Sequence, residues 1–132
     1  MKKIVKILMV ISMLLGMQSL SAGSSTVIQL NNKNFQKTIS SNKPVFVKFW
    51  ASWCGPCKKM APEYKKASKG FVGKVIFAEL NVDRYKSIMR KYGIQGVPTT
   101  VVFKNGKELG RESGFYRSPD ISNWAKWSLK QK

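Results

Sequence analysis

Histidine is absent from this chain, and cysteine occurs only at Cys54 and Cys57. A structural zinc site wants about four ligands, so a metal here would need two chains or a set of carboxylates. Without histidine, general-base chemistry falls to a carboxylate, because lysine stays protonated unless it is desolvated. Carboxylates are themselves scarce: 6 Asp and Glu stand against 24 Lys and Arg, a formal net charge of +18. Internal repeats, low-complexity tracts and interdomain linkers are missing as well.

The N-terminal segment reads as a targeting signal rather than fold. Lys2, Lys3 and Lys6 make a basic start, Ile7 to Leu15 an apolar core, and Ser19-Leu20-Ser21-Ala22 a set of small residues suited to cleavage. That core falls short of the roughly 20 residues that span a membrane comfortably. Residues 1–22 are therefore expected to be a signal peptide, with an uncleaved signal anchor as the alternative. Residues 23–132 then form one domain, long enough to bury a real core. Removing Lys2, Lys3 and Lys6 from the 24 basic residues leaves 21 against 6 acidic, or +15. The basic residues are spread along the chain and not interleaved with aromatics, so they read as a solvated surface and not as a nucleic-acid footprint. Acidic protein partners and the membrane surface stay open.

Along the mature chain, Val27 to Leu30 is a short strand candidate. Asn31 or Asn32 can cap a helix running to about Ser40, with Phe35 and Ile39 inward. After the breaker Lys43-Pro44, Val45 to Phe49 reads as a buried strand. A helix follows to Lys69, with Met60, Tyr64 and Ala67 on one face and a kink expected at Pro62. Val75 to Val82 is nearly all apolar and is expected to be a central strand. Arg84 to Tyr92 is a short helix with Ile88 and Met89 inward, and Thr99 to Phe103 a fourth strand. Asn105-Gly106 marks a hairpin into Lys107–Arg111. Ser118 then Pro119 predicts the N-cap and first turn of a last helix, which presents Ile121, Trp124, Trp127 or Ser128, and Leu129 to the sheet. This order implies an α/β sandwich of three layers with strands of both directions.

The two cysteines sit in Trp53-Cys54-Gly55-Pro56-Cys57, between the second strand and the helix after it. A Cys-x-x-Cys in that context reads as a redox motif. Cys54 would face unpaired N–H groups and the positive end of the helix dipole, both of which favour the nucleophilic thiolate. Cys57, one turn on, could attack a mixed disulfide formed by Cys54. Pro56 suits the first turn, where a missing N–H is no loss. A structural staple is the plainer alternative, but a ring this small gives only about 2 kcal/mol in the chain-entropy model. Half of a metal site and a pair of inert thiols are the others.

From Thr26 to about Trp127 the chain resembles thioredoxin. The likeness is carried by Phe49-Trp50-Ala51-Ser52-Trp53-Cys54-Gly55-Pro56-Cys57-Lys58, by Tyr92-Gly93-Ile94-Gln95-Gly96-Val97-Pro98-Thr99, and by Phe103-Lys104-Asn105-Gly106. The resemblance implies a thioredoxin fold, a central mixed β-sheet flanked by helices on both faces. It makes Cys54 the attacking cysteine and Cys57 the resolving one, with Gly55 and Pro56 between them. It puts Pro98 in cis facing the pair, with the Val97 backbone free to pair with an extended substrate. Trp53, Ile94, Gly114 and Phe115 would form a flat apolar contact surface around Cys54. Trp50 belongs to the core.

The implied activity is thiol–disulfide exchange without a cofactor, by an exported and most simply periplasmic monomer that reduces disulfide-containing proteins. Its electrons would come from a membrane thiol–disulfide donor. A disulfide oxidant or isomerase is the alternative within the class, and a redox-inactive binding module the one outside it. Oxidising relatives commonly carry a histidine between the cysteines, which this chain lacks. The chain also departs from the family. Thioredoxins usually have a buried aspartate where Lys48 stands and often a lysine where Glu79 stands. The two charges are expected to be exchanged between neighbouring strands, with Lys48 and Glu79 paired beneath the cysteines and Glu79 the proton acceptor for Cys57; the plainer alternative is that both side chains extend to solvent and play no part.

Overall fold

Strand β2, Val45–Trp50, is the middle of a five-stranded sheet. The computed structural model describes residues 25–132, so the leader at residues 1–22 lies outside the described residues. The sheet order is β1 (Val27–Gln29), β3 (Ile76–Asn81), β2, β4 (Thr99–Lys104), β5 (Lys107–Ser113). β1 and β2 run parallel to β3, whereas β4 runs antiparallel to β2 and β5 to β4. Among the described residues three helices connect strands, α1 (Phe35–Ile39), α2 (Gly55–Lys69) and α3 (Lys86–Lys91), and a fourth, α4 (Ser118–Ser128), follows β5.

Alternation along β2 divides the core in two. Val45, Val47 and Phe49 pack with Leu80, Val101 and Phe103 and with Phe35 and Ile39 of α1. Ile88 and Met89 of α3 close over that cluster. Phe46 faces the other way, among Phe77, Val102, Met60 and Tyr64 of α2 and Ile121 of α4. Both faces of β2 are covered, which is why its sequence is apolar at nearly every position. Phe46 stacks on Phe77 at 5.1 Å and meets the edge of Trp124 at 4.9 Å. Such pairs add about 0.5–1.5 kcal/mol each beyond burial.

Strand direction positions the site. β2 ends at Trp50 just before the cysteines, and β4, running the opposite way beside it, begins at Thr99 just after Pro98. Phe49 pairs with Thr99, so the Cys54 loop and the Pro98 loop emerge side by side. At the far end Asn105 and Gly106, with φ of 54° and 77°, form the tight hairpin turn that Asn-Gly favours.

Several elements differ from their sequence reading. The regular part of α1 starts at Phe35, after a turn in which the Asn31 carboxamide oxygen accepts from the N–H groups of Lys33 and Asn34 as a capping side chain does. α2 keeps its expected end, running through Pro62 to Lys69. β3 lies inside the sheet but the middle strand is β2. In α3 no residue is fully buried; Ile88 and Met89 are half-buried. β5 extends to Ser113, with Leu109 as an extra residue opposite Val102 and Phe103. Arg117, not Ser118, occupies the N-cap of α4, since Glu63 of α2 accepts the Ser118 N–H at 2.6 Å. That helix buries Ile121, Ala125 and Ser128 and leaves Trp127 and Leu129 exposed.

Candidate functional site

Cys54 is the N-cap of α2, in extended conformation, and its sulfur accepts the Cys57 N–H at 3.2 Å. Pro56 sits in the first turn. Four N–H groups at a helix start lack partners of their own, and here the cysteine sulfur takes one. Cys54 and Cys57 are joined as a disulfide with their Cα atoms 5.2 Å apart. Both are buried, Cys54 at 4% and Cys57 at 3% exposure, so in this oxidised state burial does not distinguish them. Position does: Cys54 lies at the helix mouth with its sulfur 3.6 Å from the Val97 carbonyl oxygen, and Cys57 lies one turn inside.

The opposing loop holds the other motif. The Val97–Pro98 peptide is cis, and Pro98 is buried. The Gly114 N–H donates to the Pro98 carbonyl at 2.8 Å, with Gly114 at φ 102°, a conformation that favours glycine. Among the described residues the Val97 N–H has no hydrogen-bond partner, so it is open to an extended segment. Trp53 is 70% exposed on the rim, and its indole N–H donates to Asp83 Oδ2 at 3.0 Å. Gly55, Pro56 and Phe115 are exposed as well. Ile94 is not part of this rim. It is 4% exposed and packed into the core under α3, its N–H bonded to the Met89 carbonyl, so its side chain offers no contact surface.

Under the disulfide lies a cavity of about 140 Å³, lined by Lys48, Trp50, Cys57, Lys58, Ala61 and Glu79. Lys48 and Glu79 are register partners on β2 and β3, and their charged ends meet at 3.1 Å. Glu79 accepts a second bond at 2.6 Å from Gln29 Nε2, on β1. Lys48 Nζ also sits 4.8 Å from the centre of the Tyr64 ring. The Tyr64 hydroxyl reaches the Phe46 and Ala78 carbonyls at 3.0 and 2.8 Å. Its pKa is pushed well above the ordinary tyrosine value, first by burial and then by the Glu79 charge, so it remains a neutral donor. The Trp50 indole nitrogen is buried at the edge of this cavity with no hydrogen-bond partner among the described residues.

These parts suit one chemistry: a sulfur at a helix mouth, a second sulfur within bonding reach, a free backbone edge and an internal carboxylate. The family model described as Thioredoxin matches residues 26–127. The chain belongs to the thioredoxin family. It is 41% identical to a thioredoxin of Alicyclobacillus acidocaldarius over 86 residues, covering 65% of this chain and 82% of that one. It is 36% identical to a thioredoxin of Rickettsia felis over 101 residues, or 76% of this chain and 96% of the relative. Its fold matches the Malassezia sympodialis thioredoxin Mala s 13 at a TM-score of 0.74 and 30% identity, over 80% of this chain and 93% of that one. Family and geometry agree on a thioredoxin-type thiol–disulfide oxidoreductase built on the Cys54–Cys57 pair.

Sequence reasoning missed Gln29 as a partner of Glu79 and Asp83 as the anchor of Trp53. The β1–β3 register decides the first, and local sequence does not encode that register. Asp83 directly follows the apolar run of β3, which puts it at the same sheet end as the cysteines; that signal was available.

Proposed function

We propose that this protein is an exported reductant of protein disulfides. In its dithiol state the Cys54 thiolate attacks one sulfur of a substrate disulfide. The Cys54–substrate bond forms, the substrate bond breaks, and one substrate sulfur leaves as a thiolate. Cys57 then gives its proton to Glu79 and attacks the Cys54 sulfur. The Cys54–Cys57 disulfide forms and the second substrate thiolate departs. Two electrons pass to the substrate, and the protein ends in the disulfide state. A membrane thiol–disulfide carrier, reached from the periplasmic side, would return those electrons. The leader pattern at residues 1–22 supports export.

The observation that carries the reading is Cys54 as the N-cap of α2, with its sulfur against the Val97 backbone and joined to Cys57. The Glu79 role rests on the cavity that Glu79 and Cys57 share, with Lys48 holding the carboxylate. No other carboxylate lines that cavity. Insulin reduction driven by dithiothreitol tests the activity, and the reduction potential tests the direction. The expected potential is about −270 mV. A value above about −180 mV would assign an isomerase or oxidant instead. No acceleration of insulin reduction, with both cysteines free, would leave only the binding module.

A further inference from the structure

A groove of about 340 Å³ opens beside the disulfide, between Trp53 and α3. Its floor is apolar, made by Val82, Met89 and Val97. Lys86 and Arg90 line its outer wall, four residues apart on α3 and therefore on one side of that helix. Both are exposed. The one carboxylate in the groove, Asp83, is engaged by the Trp53 indole. The ion pairs among the described residues are Lys48–Glu79 and Glu108–Arg111, so neither groove cation is ion-paired, and with the Asp83 carboxylate counted the groove stays net positive.

We propose that Lys86 and Arg90 set substrate preference: the groove takes an extended segment of a substrate protein that carries Asp or Glu a few residues from its disulfide cysteine. The inference rests on the disulfide-reductase reading. An apolar floor next to a free backbone edge accepts any extended chain, and by itself discriminates little. Two unpartnered cations at one fixed place favour a carboxylate at one register and repel a lysine or arginine there. The +18 charge of the whole chain draws acidic partners toward the surface, but it cannot select the position of a charge along a bound segment. The groove pair can.

The test uses the full chain and two fluorescein-labelled peptides, alike except for Asp or Lys near the central position. Serine replaces their cysteine, so binding is read without any covalent step. By anisotropy the Asp peptide should bind the oxidised protein about tenfold more tightly at low salt, as two exposed charge pairs allow. The ratio should shrink toward about twofold at roughly 0.5 M salt, where exposed charges are screened within a few ångströms. Lys86→Gln with Arg90→Gln should bring the ratio near one. Lys65→Gln with Lys66→Gln, exposed on α2 and outside the groove, should leave it unchanged. Equal affinities for the two peptides, or a preference that survives in the Lys86/Arg90 variant, overturns the proposal. Disulfide-linked versions of the same peptides are then offered to the reduced protein. A binding preference with no turnover would sink the reductase reading and leave the groove assignment standing.

Discussion

Lys48 and Lys86 flank the same disulfide, one beneath it and one beside it. Lys48 is 2% exposed, and three things answer its charge: the Glu79 carboxylate at 3.1 Å, the Tyr64 ring, and through Glu79 the Gln29 amide. Lys86 is exposed on α3 with no carboxylate among the described residues paired to it. The difference shows where the molecule keeps charge for internal work and where it keeps charge for a partner. A buried ammonium must be matched inside the fold, because desolvation costs several kcal/mol. An exposed one needs no match, so leaving it unpaired beside an apolar floor makes it available to a ligand.

The largest expected effect tests the buried side of that comparison. Glu79→Leu leaves Lys48 under the sheet without its counter-charge. Urea denaturation should show a loss of about 3 kcal/mol, at the low end for a broken buried pair because Glu79 keeps 18% exposure. Lys86→Gln should change stability by less than about 0.5 kcal/mol. Similar losses for both variants would erase the distinction between the two lysines.

Charge exchange sharpens the same point. Lys48→Asp alone sets a second carboxylate against Glu79 and should be nearly as damaging. Lys48→Asp with Glu79→Lys restores an opposite pair across the same register and should recover most of the stability and of the resolution rate. A double variant no better than the single one would mean that the pair does not act as a unit.

Glu79→Gln asks about chemistry rather than stability. The amide keeps a hydrogen-bonding oxygen for Lys48 but has little capacity to take a proton. Resolution of a trapped mixed disulfide by Cys57 should slow about tenfold near pH 7, below the ordinary thiol pKa of about 8.5. The defect should shrink as the pH is raised, because hydroxide then takes the proton without the carboxylate's help. A pH–rate profile that matches the wild type would remove Glu79 from the proton path.

How far the sequence showed all this depends on what fixes each feature. The β2 run, the Asn105-Gly106 turn and the Cys54 helix start are decided within a few residues, and the structure has them where local pattern put them. Features set by distant partners were illegible. Ser118 has the chemistry of an N-cap, but Glu63 from another helix takes its N–H and the cap moves to Arg117. Ile94 stands in the motif loop like a surface residue, but the loop turns its side chain under α3. Trp127 and Leu129 flank the fully buried Ser128 and project from the sides of that end of α4 that face solvent. The Lys48–Glu79 pair stands between these cases. Two charges in two buried strands point to each other, but only the parallel register of β2 and β3 makes them neighbours.

The smallest expected effect belongs to the exposed side. Trp53→Phe keeps an apolar ring on the rim and removes only the indole N–H that Asp83 accepts. Trp53 is 70% exposed, so that bond competes with water and its loss should barely move stability, by about 0.5 kcal/mol or less. The effect should appear in binding. A released Asp83 carboxylate can turn toward Lys86 and Arg90, which line the same groove, and partly neutralise them. Preference for an acidic peptide over a basic one should then fall about twofold to threefold, within the range of one exposed charge contact. Asp83→Asn, which removes the competing charge, should raise the same preference by a similar factor. Shifts in one direction for both variants would mean that Asp83 does not restrain the groove cations, and the free-charge account of that surface would lose its simplest support.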